Sequence, residues 1–345
     1  MSAAAPAPRL DRIDFAGLAG LSDCDALDAF RCFAVSARAI AAARPEGRAA
    51  RPPSAALTAA ARAALAATVD GGAAARAFFE AWFRPHRVAA ESGGAGFLTG
   101  YYEPLVPASP VETETFRWPL LARPADLGRR VPYSDRERIE RERRDPIAWV
   151  VDAVEAFLIQ VQGSAQFVFP DGRVARAAYD GRNGLPYTSV GRILIETGAI
   201  AERDMSLAAL KAWLREAGVG EGQAGLRLMR RNRSFVFFRL VADFDPSLGP
   251  VAGAGVPLTP LRSIAVDRAL WSYGLPFWIE AEIPWRSATP TAFRRLTIAQ
   301  DTGSAIVGPA RADLFFGGGD AAGARAGAIR HSGDFTVFLP AGDEP

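Results

Sequence analysis

Over residues 23–44 apolar side chains recur at helical spacing (Leu27, Phe30, Phe33, Ala34), which predicts an amphipathic helix. Ser54 stands in the capping position of a second helix running to about Val69. A third is expected over 73–83, ended by Pro85, with Trp82 at helix spacing from Phe78 and Phe79 and read as core. Beyond His86 the texture changes to strands and turns, and Gly-rich residues 93–96 lead into Phe97-Leu98-Thr99-Gly100-Tyr101-Tyr102-Glu103-Pro104. Residues 107–148 are rich in Pro, Arg and acids, with a charged helix around 135–144. Apolar alternation over 157–169, a Pro170-Asp171-Gly172 turn and a return to Tyr179 predict a hairpin. Short helices are expected at 189–197 and 207–217, each with a glycine after it, then a buried strand at 235–238. After Pro246 the pattern is short strands between Gly/Pro turns, at 263–266, 277–283, 295–299, 305–307, 312–316 and 335–339. Such punctuation predicts a barrel or sandwich.

Composition narrows the chemistry. A chain of 345 residues suits about two domains. With 49% hydrophobic and 23% charged residues it is an ordinary globular protein, neither disordered nor a coiled coil. A net charge of +2 provides no field for nucleic acid. Cys24, Cys32, His86 and His331 are the whole stock of sulfhydryls and imidazoles, so a Cys/His zinc site is excluded and no metal or cofactor is expected. The two cysteines are read as free thiols. No apolar run reaches ~18 residues, so no helix is expected to span a membrane. Residues 1–6 have neither the basic nor the apolar region of an export signal, and Cys24, preceded by Asp23, does not read as a lipid anchor.

Carboxylates are left as the reactive groups. Asp301 and Asp313 stand twelve positions apart at strand ends among glycines, and Asp267 follows another apolar stretch. Each reads either as a turn cap or as part of a site. Asp301-Thr302-Gly303-Ser304 matches the aspartic-protease tetrad, but those enzymes need two facing aspartates, and no second copy exists in the chain. The run Gly317-Gly318-Gly319 reads as a barrel turn in preference to a phosphate loop. Tyr101, Tyr102 and Glu103 form one aromatic and polar cluster; Tyr179, Asp180, Asn183 and Tyr187 form another, and Gln162-Gly163-Ser164 breaks an apolar stretch. Rings with amides and acids suit a sugar, whose C–H face packs on the ring while its hydroxyls meet the polar groups. Ordinary packing is the competing reading for each tyrosine.

In their order along the chain these motifs resemble the lytic murein transglycosylase A (MltA) family with its C-terminal three-aspartate (3D) domain. The likeness spans residues 79–340. Its landmarks are Thr99 to Pro104, Val161 to Ser164, Tyr179 to Tyr187, Ser234 to Phe238, Pro257 to Asp267 and Asp301 to Gly319. The resemblance implies a mainly β (α+β overall) protein: a double-ψ β-barrel from residues 1–104 and 236–345, N-terminal helices, and an inserted second β domain at 105–235 with a large substrate groove between domains. It implies cleavage of the MurNAc–GlcNAc bond of peptidoglycan without water, leaving a 1,6-anhydro end, in the periplasm or cell envelope. Glycan strands are the implied partner. Asp313 matches the catalytic acid, Asp301 and Asp267 the other two aspartates. Thr99, Gly100, Tyr101, Tyr102, Glu103, Gln162, Gly163, Ser164, Tyr179, Asn183 and Tyr187 match or neighbour sugar-binding positions. A non-catalytic sugar-binding protein on the same scaffold is the alternative. The chain departs from the family at 270–276, where Leu270-Trp271-Ser272-Tyr273 brings in bulky aromatics, and at Arg233 and Ser304.

Overall fold

The computed structural model describes residues 8–18, 20–21, 26–90, 94–129 and 132–343; Cys24 lies outside them. The chain divides into two compact units, one holding residues up to 101, 248–317 and 329 onward, the other 102–247 and 318–328.

The first unit opens with β1 (Leu10–Arg12), α1 (Ala26–Ala41), α2 (Ala55–Ala66), α3 (Gly72–Trp82), β2 (Phe83–Val88) and β3 (Gly96–Glu103). Ser54 caps α2 by accepting the Leu57 N–H. The apolar stripe of α1 meets α3 and the start of β2 through edge-on rings, with Phe30–Phe78 centroids 5.0 Å apart and Phe33–Phe83 5.6 Å. Helix α3 stops at Trp82, and Pro85 sits within β2. The strand tolerates it because β1 takes only the Pro85 carbonyl, through Ile13 N–H. Trp82 is 36% exposed and stacks on Phe78, so it is a flank of the core and not its interior.

The second unit carries β4 (Leu105–Pro107), β5 (Trp118–Leu121), α4 (Arg136–Glu142), β6 (Pro146–Val150), α5 (Ala153–Gln162), β7 (Ser164–Val168) and β8 (Val174–Arg182). Then follow α6 (Val190–Glu196), α7 (Leu207–Glu216), α8 (Ala224–Arg231) and β9 (Val236–Val241). Strands β4, β7, β8 and β9 form one sheet in that order, and β5 pairs with β6. The expected hairpin exists as β7–β8, but residues 157–162 belong to α5. A continuous apolar run fits a buried helix as well as a strand; here Asp152 caps the start and Gly163, with φ 86°, ends it. Helix α8 was hidden by its arginines. Gly225 lets it approach α7 closely, since a Cβ there would lie 2.3 Å from the Leu214 carbonyl oxygen. Arg136, fully buried, donates to the carbonyls of Asn232 (2.7 Å) and Ser234 (2.5 Å) and lies over the Phe157 ring at 4.8 Å.

The chain then returns as β10 (Ser263–Val266), β11 (Pro276–Ile283), β12 (Thr291–Asp301), β13 (Arg311–Gly318), α9 (Gly319–Ala326) and β14 (Arg330–Pro340). Strands β14, β11, β12, β10, β13 and β3 follow one another, and β3 pairs back onto β14, closing a six-stranded barrel. This is the barrel that the resemblance implies. Strand β10 runs parallel to β12 and antiparallel to β13, and all four of its residues are buried. Helix α1 contacts β12 and α2 contacts β14, and residues 296–301 of β12 and 335–338 of β14 are buried without alternation. The stretch 305–307 is a loop and not the expected strand, and of the three glycines read as a barrel turn Gly317 and Gly318 end β13 while Gly319 opens α9. Cys32 is a buried free thiol, pushed up to about 11 by burial. Among the described residues no helix is long and apolar enough to cross a membrane.

Candidate active site

Three chain segments meet in one row of the barrel sheet. Ala265 on β10 is the register partner of Asp301 on β12 and of Asp313 on β13. A bulge between Ile264 and Ala265 skips Gln300 and puts Asp301 opposite Ala265; bulges re-aim side chains in this way. Gln300 turns instead into the protein, donating to the Cys32 carbonyl (3.1 Å) and Ser36 Oγ (2.8 Å).

Asp313 is partly exposed at its edge of the row. Its Oδ1 accepts the Thr99 hydroxyl at 2.6 Å, and Thr99 Oγ1 in turn accepts Arg311 N–H at 2.8 Å. Arg311 and Asp313 are two apart on one strand and share a face. Burial lifts the Asp313 carboxyl above the usual carboxylate range; Arg311 and the Thr99 hydrogen bond pull it down, and Asp301 pushes it up.

Asp301, 6% exposed, has a different environment. Its Oδ1 accepts Arg48 at 2.7 Å and the Gly253 N–H at 3.0 Å, and its Oδ2 accepts the Tyr101 hydroxyl at 3.0 Å. The guanidinium and two further donors thus take up both oxygens of this carboxyl within the protein. None of these partners is a second carboxyl, so the facing pair of an aspartic protease is not formed here. Burial, then Asp301 and Asp313, push the Tyr101 phenol upward, so it remains a donor. Gly253 is required here: a Cβ would lie 2.5 Å from the Tyr273 hydroxyl and 3.1 Å from Asp301 Oδ1.

The unusual aromatics at 270–276 support this shell from behind. The Tyr273 hydroxyl donates to the Arg48 carbonyl at 3.0 Å, and Trp271 Nε1 to the Pro309 carbonyl at 3.1 Å; both rings are buried. Asp267 uses its two oxygens on backbone, accepting Ala269 N–H and Gly308 N–H, each at 2.9 Å. Its position is that of a loop clamp.

Within the second unit the sugar-binding candidates separate by burial. Glu103 is 1% exposed and pairs with Arg176, Nε to Oε1 2.8 Å, while its Oε2 also accepts Gln166 at 2.8 Å. Asn183, also 1% exposed, donates to the carbonyls of Ser134 and Arg233 and accepts the N–H of Leu185 and Phe235. Tyr102 packs on Gly323, where a Cβ would lie 2.6 Å from its ring, and Ser164 is buried at the start of β7. Gln162 and Gly163, at the end of α5, and Tyr179 and Tyr187 are half-buried; Gln162 Oε1 accepts the Tyr102 N–H at 3.1 Å. In the first unit Gly100 is half-buried on β3, beside Thr99. The sequence reading did not single out Arg48 or Arg311. Arg311 carried a signal, its i, i+2 spacing from Asp313. Arg48 carried none, at 253 positions from its partner.

Comparison with known proteins gives a consistent result. Residues 97–239 match the profile of the MltA specific insert domain, and 262–339 that of the 3D domain. The membrane-bound lytic murein transglycosylase A of Vibrio cholerae is 34% identical over 261 residues, covering 71% of this chain and 67% of that protein. The Escherichia coli K12 protein of the same name is 32% identical, covering 73% and 68%. The crystal structure of a membrane-bound lytic murein transglycosylase from Agrobacterium tumefaciens superposes with a TM-score of 0.85 at 32% identity, covering 96% of this chain and 98% of that one. The E. coli MltA structure with bound chitohexaose does so at 0.70 and 26% identity, covering 97% and 95%.

Proposed function

The chain belongs to the membrane-bound lytic murein transglycosylase A family, and from that premise we propose that it cleaves peptidoglycan glycan strands with Asp313 as its only proton-transferring carboxyl. The protein is a lytic transglycosylase of the cell envelope, and its place of action on this reading is the periplasm. The observation that carries the assignment of roles is the contrast between two neighbouring aspartates: Asp301 saturated with donors, Asp313 with a single hydroxyl donor and a raised pKa.

Most glycosidases need two carboxyl groups, because water or an enzyme nucleophile attacks opposite the acid. When the muramic acid C6 hydroxyl is the nucleophile, one group suffices. Neutral Asp313 gives its proton to the departing glycosidic oxygen. The anomeric carbon acquires oxocarbenium character, the C6 oxygen closes on it, and Asp313 recovers a proton from that hydroxyl. The carboxyl ends the cycle as it began. Asp301 contributes a fixed negative charge that helps keep Asp313 protonated, while Arg48, Gly253 and Tyr101 keep Asp301 itself in place.

For sugar contacts the half-buried Gly100, Gln162, Gly163, Tyr179 and Tyr187 are the candidates, because their partial exposure leaves them surface to offer a ligand; binding of an oligosaccharide as such is supported by the chitohexaose held by the E. coli relative. Tyr101, Tyr102, Glu103, Ser164 and Asn183 are buried and are assigned to the framework instead. Purified sacculi incubated with wild type should release 1,6-anhydromuropeptides, read by mass spectrometry. Asp313→Asn should release none. Products with reducing muramic acid, or an active Asp313→Asn, refute the proposal.

A further inference from the structure

We propose that Thr99, held in turn by Arg311, determines which oxygen of Asp313 carries the acid proton, and is a positioning residue and not a sugar contact. The inference rests on Asp313 being the acid. A threonine hydroxyl has one proton and two lone pairs, whereas a guanidinium only donates. Arg311 N–H at 2.8 Å therefore occupies a lone pair of Thr99 Oγ1. The single Thr99 proton is directed along the 2.6 Å contact to Asp313 Oδ1. An oxygen receiving that bond is the acceptor of the carboxyl, so the proton of the neutral acid resides on Oδ2. Among the described residues no other donor is within hydrogen-bond distance of Asp313.

Arg311 can hold Thr99 because it is itself fixed. Its guanidinium lies over the Phe97 ring at 5.2 Å and donates to the Ala312 carbonyl. The ring, Thr99 and Asp313 thus come from two strands, β3 and β13, with Arg311 between them. Such an arrangement leaves Thr99 no proton for a sugar hydroxyl. It also leaves one oxygen of Asp313 anchored and the other available to transfer a proton, first outward and then back.

The pH dependence separates this role from plain packing. The charged and titratable groups facing Asp313 are Arg311 on its own strand, Asp301 on β12 and Tyr101 on β3, while β10 presents only Ala265 in this row. A hydroxyl donating to the carboxylate favours the ionised form. Thr99→Val removes that donor while keeping the shape, so Asp313 should stay protonated to higher pH. The alkaline limb of kcat on sacculi, which reports the acid in the bound complex, should move up by about one pH unit. Thr99→Ser should restore it. If Val is not accommodated, as a melting curve would reveal, Thr99→Ala is measured in its place. A limb that moves down means that Thr99 accepts from the acid, and an unmoved limb means that Thr99 only packs; either overturns the inference. An active Asp313→Asn would instead overturn the acid assignment, whatever the Thr99 variants do.

Discussion

Asp301 and Asp313 stand on either side of Ala265 in one row of the barrel, at the ends of strands that run in opposite directions. Two strand spacings separate their backbones by about 10 Å. That is close enough for the Asp301 charge to raise Asp313, and the two side chains still have separate hydrogen-bond partners. Asp301 is tied to three donors, while Asp313 keeps one hydroxyl donor and a raised pKa.

Keeping Asp313 neutral has a measurable effect on stability. Its folded pKa is raised above 3.8, so between 3.8 and the raised value the folded state binds the proton and the unfolded chain does not. Stability attached to this group is complete below 3.8 and is lost as pH rises through the folded pKa. Asp313→Asn does not titrate. Urea unfolding should show the variant more stable than wild type at pH 7, with the difference closing as pH falls toward 3.8. Equal stability at both pH values would mean that Asp313 is not desolvated.

The Arg48–Asp301 pair should be worth more than a surface bridge. Its side chains are 23% and 8% exposed at 2.7 Å. Arg48→Gln leaves a buried anion with only Gly253 and Tyr101, and should lower unfolding free energy by about 3 kcal/mol. A loss below about 0.5 kcal/mol would place the pair with solvent-screened bridges.

Asp267 offers a contrasting test. Asparagine has one acceptor oxygen where Asp267 uses two, for Ala269 and Gly308. Asp267→Asn should reduce stability by about 2 kcal/mol and keep its turnover on sacculi at temperatures where it is folded. Lost turnover with an unchanged melt would give this carboxylate a chemical role.

The amino-acid order alone determined what depends on near neighbours. Ser54 caps the helix expected of it, the short helices expected at 189–197 and 207–217 are present with Ser189 and Ser206 as their caps, and β10 covers the expected residues, because capping and periodicity act over a few positions. The shortage of Cys and His pointed to carboxyl chemistry, and the ordered motifs pointed to the family. Only the tertiary structure decided what each carboxyl touches. Asp301, Asp267, Glu103 and Asn183 all stood out as polar residues among aromatics and glycines, yet their burial and partners come from residues as far away as Arg48. The bulge that aims Asp301 exists only where β10 and β12 pair. A side chain's protonation follows from the donors and the solvent that reach it, and those are set when distant strands close into a barrel.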